Sequence, residues 1–347
     1  MTEFLDIDVL GLRMRVELGT DLDDAQRRDV RRAWTGAAGT GDGTPDLTLT
    51  FTAGTDFDRA MERLTVDVTL AALDALRGRA LMFHAAGVAD DRGRVAAFVG
   101  PSGRGKTTLS RELARHCGYV TDETVAADAD LRVQAYRKPL SVVRDGAPKQ
   151  QVSPEEAGLG DLPGAELRLA ALVLIERDEQ LGAPEIASVP LVEALPELVS
   201  QMSYLREQRR PLQTIAALSD AIGGVRRLRY PDSSTVPPLL PQLLDSAAEA
   251  SVWHPLPDAA DSGPYSVDVV DDAILTDGFV IVMAGANLQV LDGIAPTVWI
   301  ACARGDDLDG IVRAVVAEHG APPEGDAAER VAAVIDELVD AGALRRR

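Results

Sequence analysis

The sequence predicts an α/β protein of three structured regions, and three observations support that prediction. An apolar, β-branched run from Val95 to Val99 leads into a glycine-rich loop and then into a helix-forming stretch that starts at Lys106. Strand-like and helix-like periods alternate on both sides of that point. Seven of the 20 prolines fall between Pro231 and Pro264, which predicts a linker with one short helix near Pro241 to Ser251.

Taken in order, residues 1–78 read as a small α/β domain. Strand-like runs at Leu10–Val16 and Leu47–Thr52 alternate with helical periods at Asp24–Trp34 and Asp58–Leu76, and nothing there carries chemistry. Residues 79–230 form a central domain with strands before and after the loop and a helix from Lys106 to about His116. The run Leu169–Ile175 predicts a buried central strand ending at Glu176. Beyond the linker at 231–265, residues 266–347 open with a hairpin, Ala273–Val282. Its Asp277 and Gly278 supply the positive φ angles that a two-residue turn needs. Three helices follow. The first spans Ala295–Ala303. The second is capped near Asp306, with Leu308, Ile311, Val312 and Val315 on one face. The third, Ala327–Ala341, stops at Gly342.

A chain of 347 residues with 46% hydrophobic content can bury more than one core. Its formal charge of −20 and pI near 4.6 argue against a nucleic-acid surface, and its 32 arginines are scattered rather than gathered into a basic patch. Cys117 and Cys302 lack metal or redox spacing and are expected to be buried thiols. No basic leader with an apolar core begins the chain, and no segment approaches the ~20 apolar residues of a membrane span, so a cytoplasmic protein is expected.

The loop Gly100-Pro101-Ser102-Gly103-Arg104-Gly105-Lys106-Thr107, followed by Thr108, has the pattern G-x-x-x-x-G-K-T. Glycines let the backbone turn its N–H groups toward phosphate oxygens, and the next helix presents its positive end. Lys106, one of only three lysines, adds a mobile charge, and Thr107 offers a hydroxyl to Mg²⁺. Upstream, His84 precedes a turn at Asp90–Gly93 that leads into the loop strand, so a hairpin brings it near the loop. Downstream, Asp122 and Glu123 follow a short β-branched segment. One of the two can hold Mg²⁺ with Thr107 while the other accepts a hydroxyl proton. Glu176 competes for the metal role, but the run before it is equally explained as a buried strand. Arg206, Arg209 and Arg210, on a predicted helix, offer either a phosphate clamp or a solvated face.

The order Met82-Phe-His84, short turn, Ala96–Ser110, then Thr121-Asp122-Glu123 resembles the HPr kinase/phosphorylase catalytic domain and its relative, ATP-dependent phosphoenolpyruvate carboxykinase. It looks most like the HPr-kinase-like serine kinases, over about 150 residues. The resemblance implies a P-loop kinase core that uses ATP and Mg²⁺. Gly100 to Thr107 would sit on the phosphates, His84 near the transferred group, and Asp122 would act as base. Glu123 stands where these kinases usually have a second Asp. Their Gly- and Arg-rich phosphorylase signature is absent, which implies a kinase without efficient phosphorylase activity. Tyr136-Arg-Lys138-Pro139 is similar to a loop of the same relatives, with Lys138 either near a phosphate or exposed. Such relatives are often oligomers, so a homo-oligomer is implied.

Residues 266–347 have the order of a small winged-helix fold. Val290–Ile300 and Val334–Leu344 resemble the PqqD-like family. That family recognises leader peptides of ribosomally made, modified peptides by letting them add a strand to a sheet edge. Here the implied groove is the Ile274–Val282 hairpin with the third helix. A DNA-binding role is disfavoured, because Asp306 to His319 contains one arginine, Arg313. The leading expectation is a kinase that phosphorylates a Ser or Thr hydroxyl of a peptide or protein. A nucleotide-binding scaffold that presents a peptide to other enzymes and a small-metabolite kinase are the alternatives.

Overall fold

In the computed structural model, which describes residues 3–39, 41, 43–144, 147–245, 251–256, 258, 260 and 262–347, the chain begins with a hairpin. Strand β1 (Glu3–Val9) pairs antiparallel with β2 (Leu12–Leu18). Leu10 and Gly11, at φ 52° and 81°, form the turn, so the strand expected from Leu10 starts instead at Leu12. Helix α1 (Asp24–Ala33) is held by a capping box between Asp23 and Gln26. Strand β3 (Leu47–Phe51) adds parallel to β2, and α2 (Phe57–Ala75) lays Met61, Leu64, Val68 and Ala72 into the core beneath. Met82, Ala126 and Tyr136, from later in the chain, join this same core.

The strands around the loop then follow: β4 (Leu81–Phe83), β5 (Ala85–Ala89), β6 (Arg94–Val99), α3 (Lys106–Leu113), β7 (Gly118–Thr121), β8 (Val125–Ala127) and the hairpin β9 (Leu140–Arg144) with β10 (Ala147–Val152). Next come β11 (Arg168–Arg177), β12 (Glu185–Val189), α4 (Leu191–Ser200), β13 (Met202–Ser203), α5 (Pro211–Ala221), β14 (Val225–Tyr230) and α6 (Leu240–Asp245). Six strands form one sheet in the order β12-β14-β11-β6-β5-β7, and β13-β4-β8 form a smaller one. β11 is parallel to both of its neighbours, β6 and β14, and Leu172 and Val173 on its opposite faces are fully buried. Burial on both faces is the reason its sequence is an unbroken apolar run rather than an alternating one.

The chain divides into two units: Met1–Ser188 with Ser200–Leu205 and Val225–Ala248, and Val189–Val199 with Arg206–Gly224 and Glu249–Arg347. The division at 248/249 falls inside the linker expected at 231–265, whereas no division falls at residue 78. Residues 1–78 share a unit with the central strands, while α4 and most of the segment through α5 belong with the C-terminal region. The expected linker is also corrected in part. Val236, Leu240, Leu243 and Leu244 enter the same core as α3 and β11, so residues 231–245 are packed. The short helix expected near Pro241 to Ser251 is α6, and residues 246–250 of that prediction lie outside the described residues.

In the second unit, β15 (Trp253–Pro255), β16 (Tyr265–Ser266), β17 (Asp272–Thr276), β18 (Phe279–Ala284) and β19 (Asn287–Leu291) precede α7 (Ala295–Arg304), α8 (Leu308–His319), α9 (Ala327–Asp340) and β20 (Arg345–Arg346). The antiparallel order is β15-β17-β18-β19, with Asp277 and Gly278 at φ 52° and 81° in the expected turn. Trp299, 1% exposed, fills the core among the three helices and donates its indole N–H to Ala343 O at 3.0 Å. α5 is tied to this unit through Gln213, whose backbone N and Nε2 donate to the Asp272 carboxylate at 2.9 and 2.8 Å. Cys302 is buried as expected, whereas Cys117 is only half-buried and donates to Leu113 O. No helix among the described residues is long and apolar enough to cross a membrane.

Candidate functional site

Strand β6 delivers the chain into the loop at Gly100, where any Cβ would sit 2.9 Å from Ile175 Cγ1, so the loop leaves the sheet pressed against β11. Gly103 and Gly105 have φ values of 79° and 92°, which side-chain-bearing residues rarely adopt, and the space beside Gly103 is open. Pro101, Ser102, Gly103 and Arg104 are exposed, Thr107 is half-buried on the first turn of α3, and Thr108 faces solvent. Lys106 is 6% exposed. Its Nζ donates to the carbonyls of Gly100 at 2.6 Å and Pro101 at 3.2 Å. Burial depresses its ammonium below the ordinary lysine range, and the carboxylates of Glu123 and Asp122 partly oppose that.

His84 reaches this loop as the hairpin argument requires. The β5–β6 register pairs Ala85 with Val99, which sets the preceding residue, His84, beside the start of the loop. Its backbone N donates to Gln201 O at 2.7 Å. Its Nδ1 lies 3.1 Å from the Glu123 carbonyl, and Ser102 Oγ lies 3.4 Å from its Nε2. A carbonyl can only accept, so Nδ1 carries the proton and Nε2 accepts from the Ser102 hydroxyl. Burial, then the nearby Lys106 charge, push the imidazole below its ordinary value despite the opposing Glu123.

Asp122 and Glu123 follow β7 in a tight turn, in which Thr121 Oγ1 accepts from the backbone N of Glu123 at 3.1 Å and of Thr124 at 3.4 Å. In a regular strand adjacent side chains point to opposite faces. The turn instead aims both carboxylates at Lys138, whose Nζ lies 3.3 Å from Asp122 Oδ1 and 3.5 Å from Glu123 Oε2. Lys138 is therefore buried and paired, and the sequence alone had left its role open. Burial by itself would lower this ammonium, but the two carboxylates outweigh it and hold it above the ordinary lysine value. Asp122 Oδ1, though close to Lys138, accepts no directed hydrogen bond among the described residues, and neither does the neighbouring buried hydroxyl of Tyr119 find a partner. That phenol is driven well above its ordinary value by burial and by Asp122.

Other sequence candidates lie apart from this group. Glu176 pairs with Arg229 of the adjacent strand at 3.5 Å. The three arginines do not share a helix: Arg206 and Arg209 are exposed in the connection before α5, and Arg210, at φ 55°, caps α5 and pairs with Asp258 at 3.0 Å. The described residues contain no set of three His, Cys, Asp or Glu side chains that would enclose a metal unaided. Thr107 with Asp122 or Glu123 offers hard oxygen donors, and Asp122 Oδ1 accepts no directed hydrogen bond among the described residues. That set suits Mg²⁺, which is commonly held by one or two carboxylates plus phosphate oxygens rather than by an all-protein cage.

The second unit presents a different kind of site. The outer edge of β17 is already paired to β15, and β18 is interior, so the edge expected at the Ile274–Val282 hairpin is closed. Among the described residues that sheet ends at the short β15 on one side and at β19 on the other; on β19 Val290 is exposed and Gln289 Nε2 donates to Ala341 O at 2.7 Å, at the end of α9. Strand count in sequence could not find this, because Asn287–Leu291 follows a two-residue Gly285-containing turn with no strong signal of its own.

Comparison with curated proteins finds no match. Among solved structures, the Hpr(Ser) kinase/phosphatase from Coxiella burnetii is similar at 14% identity, over 47% of this chain and 92% of that chain, with a TM-score of 0.27. The family described as Coenzyme PQQ synthesis protein D (PqqD) matches residues 279–344, so the C-terminal region is a PqqD-like domain.

Proposed function

We propose that the chain is a kinase that uses ATP and Mg²⁺ to phosphorylate a Ser or Thr hydroxyl of a peptide or protein in the making of a ribosomal peptide product. The acceptor would be recruited through the open β19 edge. The observation that carries this is the gathering of Lys106, His84, Asp122, Glu123 and Lys138 around one glycine-rich loop. Backbone N–H groups of the loop, freed to turn by Gly103 and Gly105, and the start of α3 bind phosphate oxygens. Lys106 exchanges the carbonyls of Gly100 and Pro101 for phosphate. Asp122 takes the acceptor's hydroxyl proton. Lys138 holds both carboxylates and offsets their charge, and His84 orients Ser102. Mg²⁺ at Thr107 and Glu123 supplies charge neutralisation on the phosphates. The PqqD-like match over residues 279–344 supports a peptide rather than a small metabolite as acceptor.

The test is mass spectrometry of the small-peptide fraction of the source cells after incubation with the protein and Mg·ATP. Phosphate on one peptide, absent with Asp122→Asn, is the expected result. No phosphopeptide despite measurable ATP binding sinks the kinase reading and favours a nucleotide-binding scaffold.

A further inference from the structure

The N-terminal sheet has one covered edge and one open edge. The outer side of β1 is met by the segment after α1, where Ile7 bridges Ala38 and Gly39 N donates to Asp6 O at 3.0 Å. The outer side of β3 has no strand beside it among the described residues. Its sequence, Leu47-Thr-Leu-Thr-Phe51, carries none of the charges or prolines that normally blunt an exposed edge against pairing.

Beside this edge runs a groove of about 690 Å³, walled by β3, residues 52–56 and α2. On the α2 wall, Arg59, Arg63, Asp67 and Leu70 form an exposed stripe at helical spacing, and the exposed Val66 lies beside it on the same helix. Val66 and Leu70 are 50% and 54% exposed, unusual for large apolar side chains on an otherwise well-packed helix. Arg59 is engaged by Asp56 at 3.3 Å, whereas Arg63 and Asp67 make no ion pair among the described residues.

We propose that the occupant of this groove is a second copy of the chain, joined β3 to β3 in antiparallel fashion about a twofold axis. An interface of that symmetry must be complementary to itself. An antiparallel α2 pair centred near residue 65 is so: Arg63 of each copy meets Asp67 of the other, two matched contacts, with Val66 between them and Leu70 just beyond them. The two three-stranded sheets become one six-stranded sheet, both uncharged edges are closed, and the exposed apolar stripe is covered.

The test is sedimentation equilibrium of the full-length protein and three variants of these exposed positions, which do not disturb the core. The wild type is expected to be a dimer. Arg63→Asp alone or Asp67→Arg alone places like charges opposite each other and should raise the dissociation constant about tenfold or more. The double variant Arg63→Asp/Asp67→Arg restores opposite charges and should recover the wild-type constant. A monomeric wild type, which would leave the edge to a different extended segment, overturns the proposal, and so does a dimer indifferent to both single changes.

Discussion

The loop site of the first unit and the open β19 edge of the second stand at opposite extremes. Around the loop, Lys106, Lys138 and Asp122 are buried, and each charge is met by another charge or by a carbonyl. Along β19, Asn287-Leu-Gln-Val-Leu291 carries no charge, and what it offers is the main chain of an unpaired edge. Removing ions from water is tolerable only where they converge, so the first site should be intolerant of losing any one partner. An edge recognises through N–H and C=O groups common to every residue, so the second should tolerate most side-chain changes and fail only when approach is blocked.

The largest expected effect is on turnover. Lys106→Ala should lower phosphoryl transfer by ~10²–10³, as for the loss of one preorganised electrostatic contact, and undiminished turnover would remove the loop from the chemistry. Next is stability: Lys138→Met leaves two carboxylates facing each other without their cation and should destabilise the first unit by about 3 kcal/mol in urea unfolding. Val290→Ala on the exposed edge should change the second unit by less than about 0.5 kcal/mol. Equal effects of these two would break the comparison. Val290→Glu, which obstructs the edge with a charge, should weaken peptide capture about tenfold while leaving ATP binding intact.

A smaller effect concerns pH. The His84 imidazole lies below its ordinary value of 6.5 because of burial and Lys106, so the unfolded chain takes up this proton at a higher pH than the folded one. Stability contributed by neutral His84 is therefore fully present above about pH 6.5 and is lost as pH falls toward the folded value. Urea midpoints measured from pH 7 down to about pH 5 should show this fall, and His84→Gln should flatten it. Smallest is thiol reactivity. Burial pushes both Cys117 and Cys302 up to about 12, so neither should be alkylated by iodoacetamide at neutral pH until the protein is unfolded. Rapid labelling of native Cys117 would contradict that.

The two sites also differ in how far the sequence discloses them. The loop announces itself because glycine, lysine and threonine must stand at fixed spacing to do their work, and the turn at Asp277-Gly278 is legible for the same local reason. His84 was within reach because a short hairpin links it to the loop. Lys138 was not, since its partnership with Asp122 and Glu123 closes over a fifteen-residue excursion through β8 and the loop beyond it, which no local pattern reports. β1 escaped because Leu10 adopts a positive φ that its side chain does not advertise. The assignment of α4 and α5 to the C-terminal unit, and the closure of β17 by β15, are pairings between distant segments, which periodicity within one segment cannot report. Proline density suggested a linker at 231–265, yet Val236 and Leu243 are fully buried, because prolines that end one element can equally begin a packed turn.

The measurement that bears most directly on the account is a paired one: ATP binding by calorimetry and phosphate incorporation into the small-peptide fraction, for the wild type and for Asp122→Asn. The account predicts similar ATP affinity for both, with incorporation only by the wild type. Equal incorporation by both would contradict the role of Asp122 as the proton acceptor and with it the chemistry assigned to this loop.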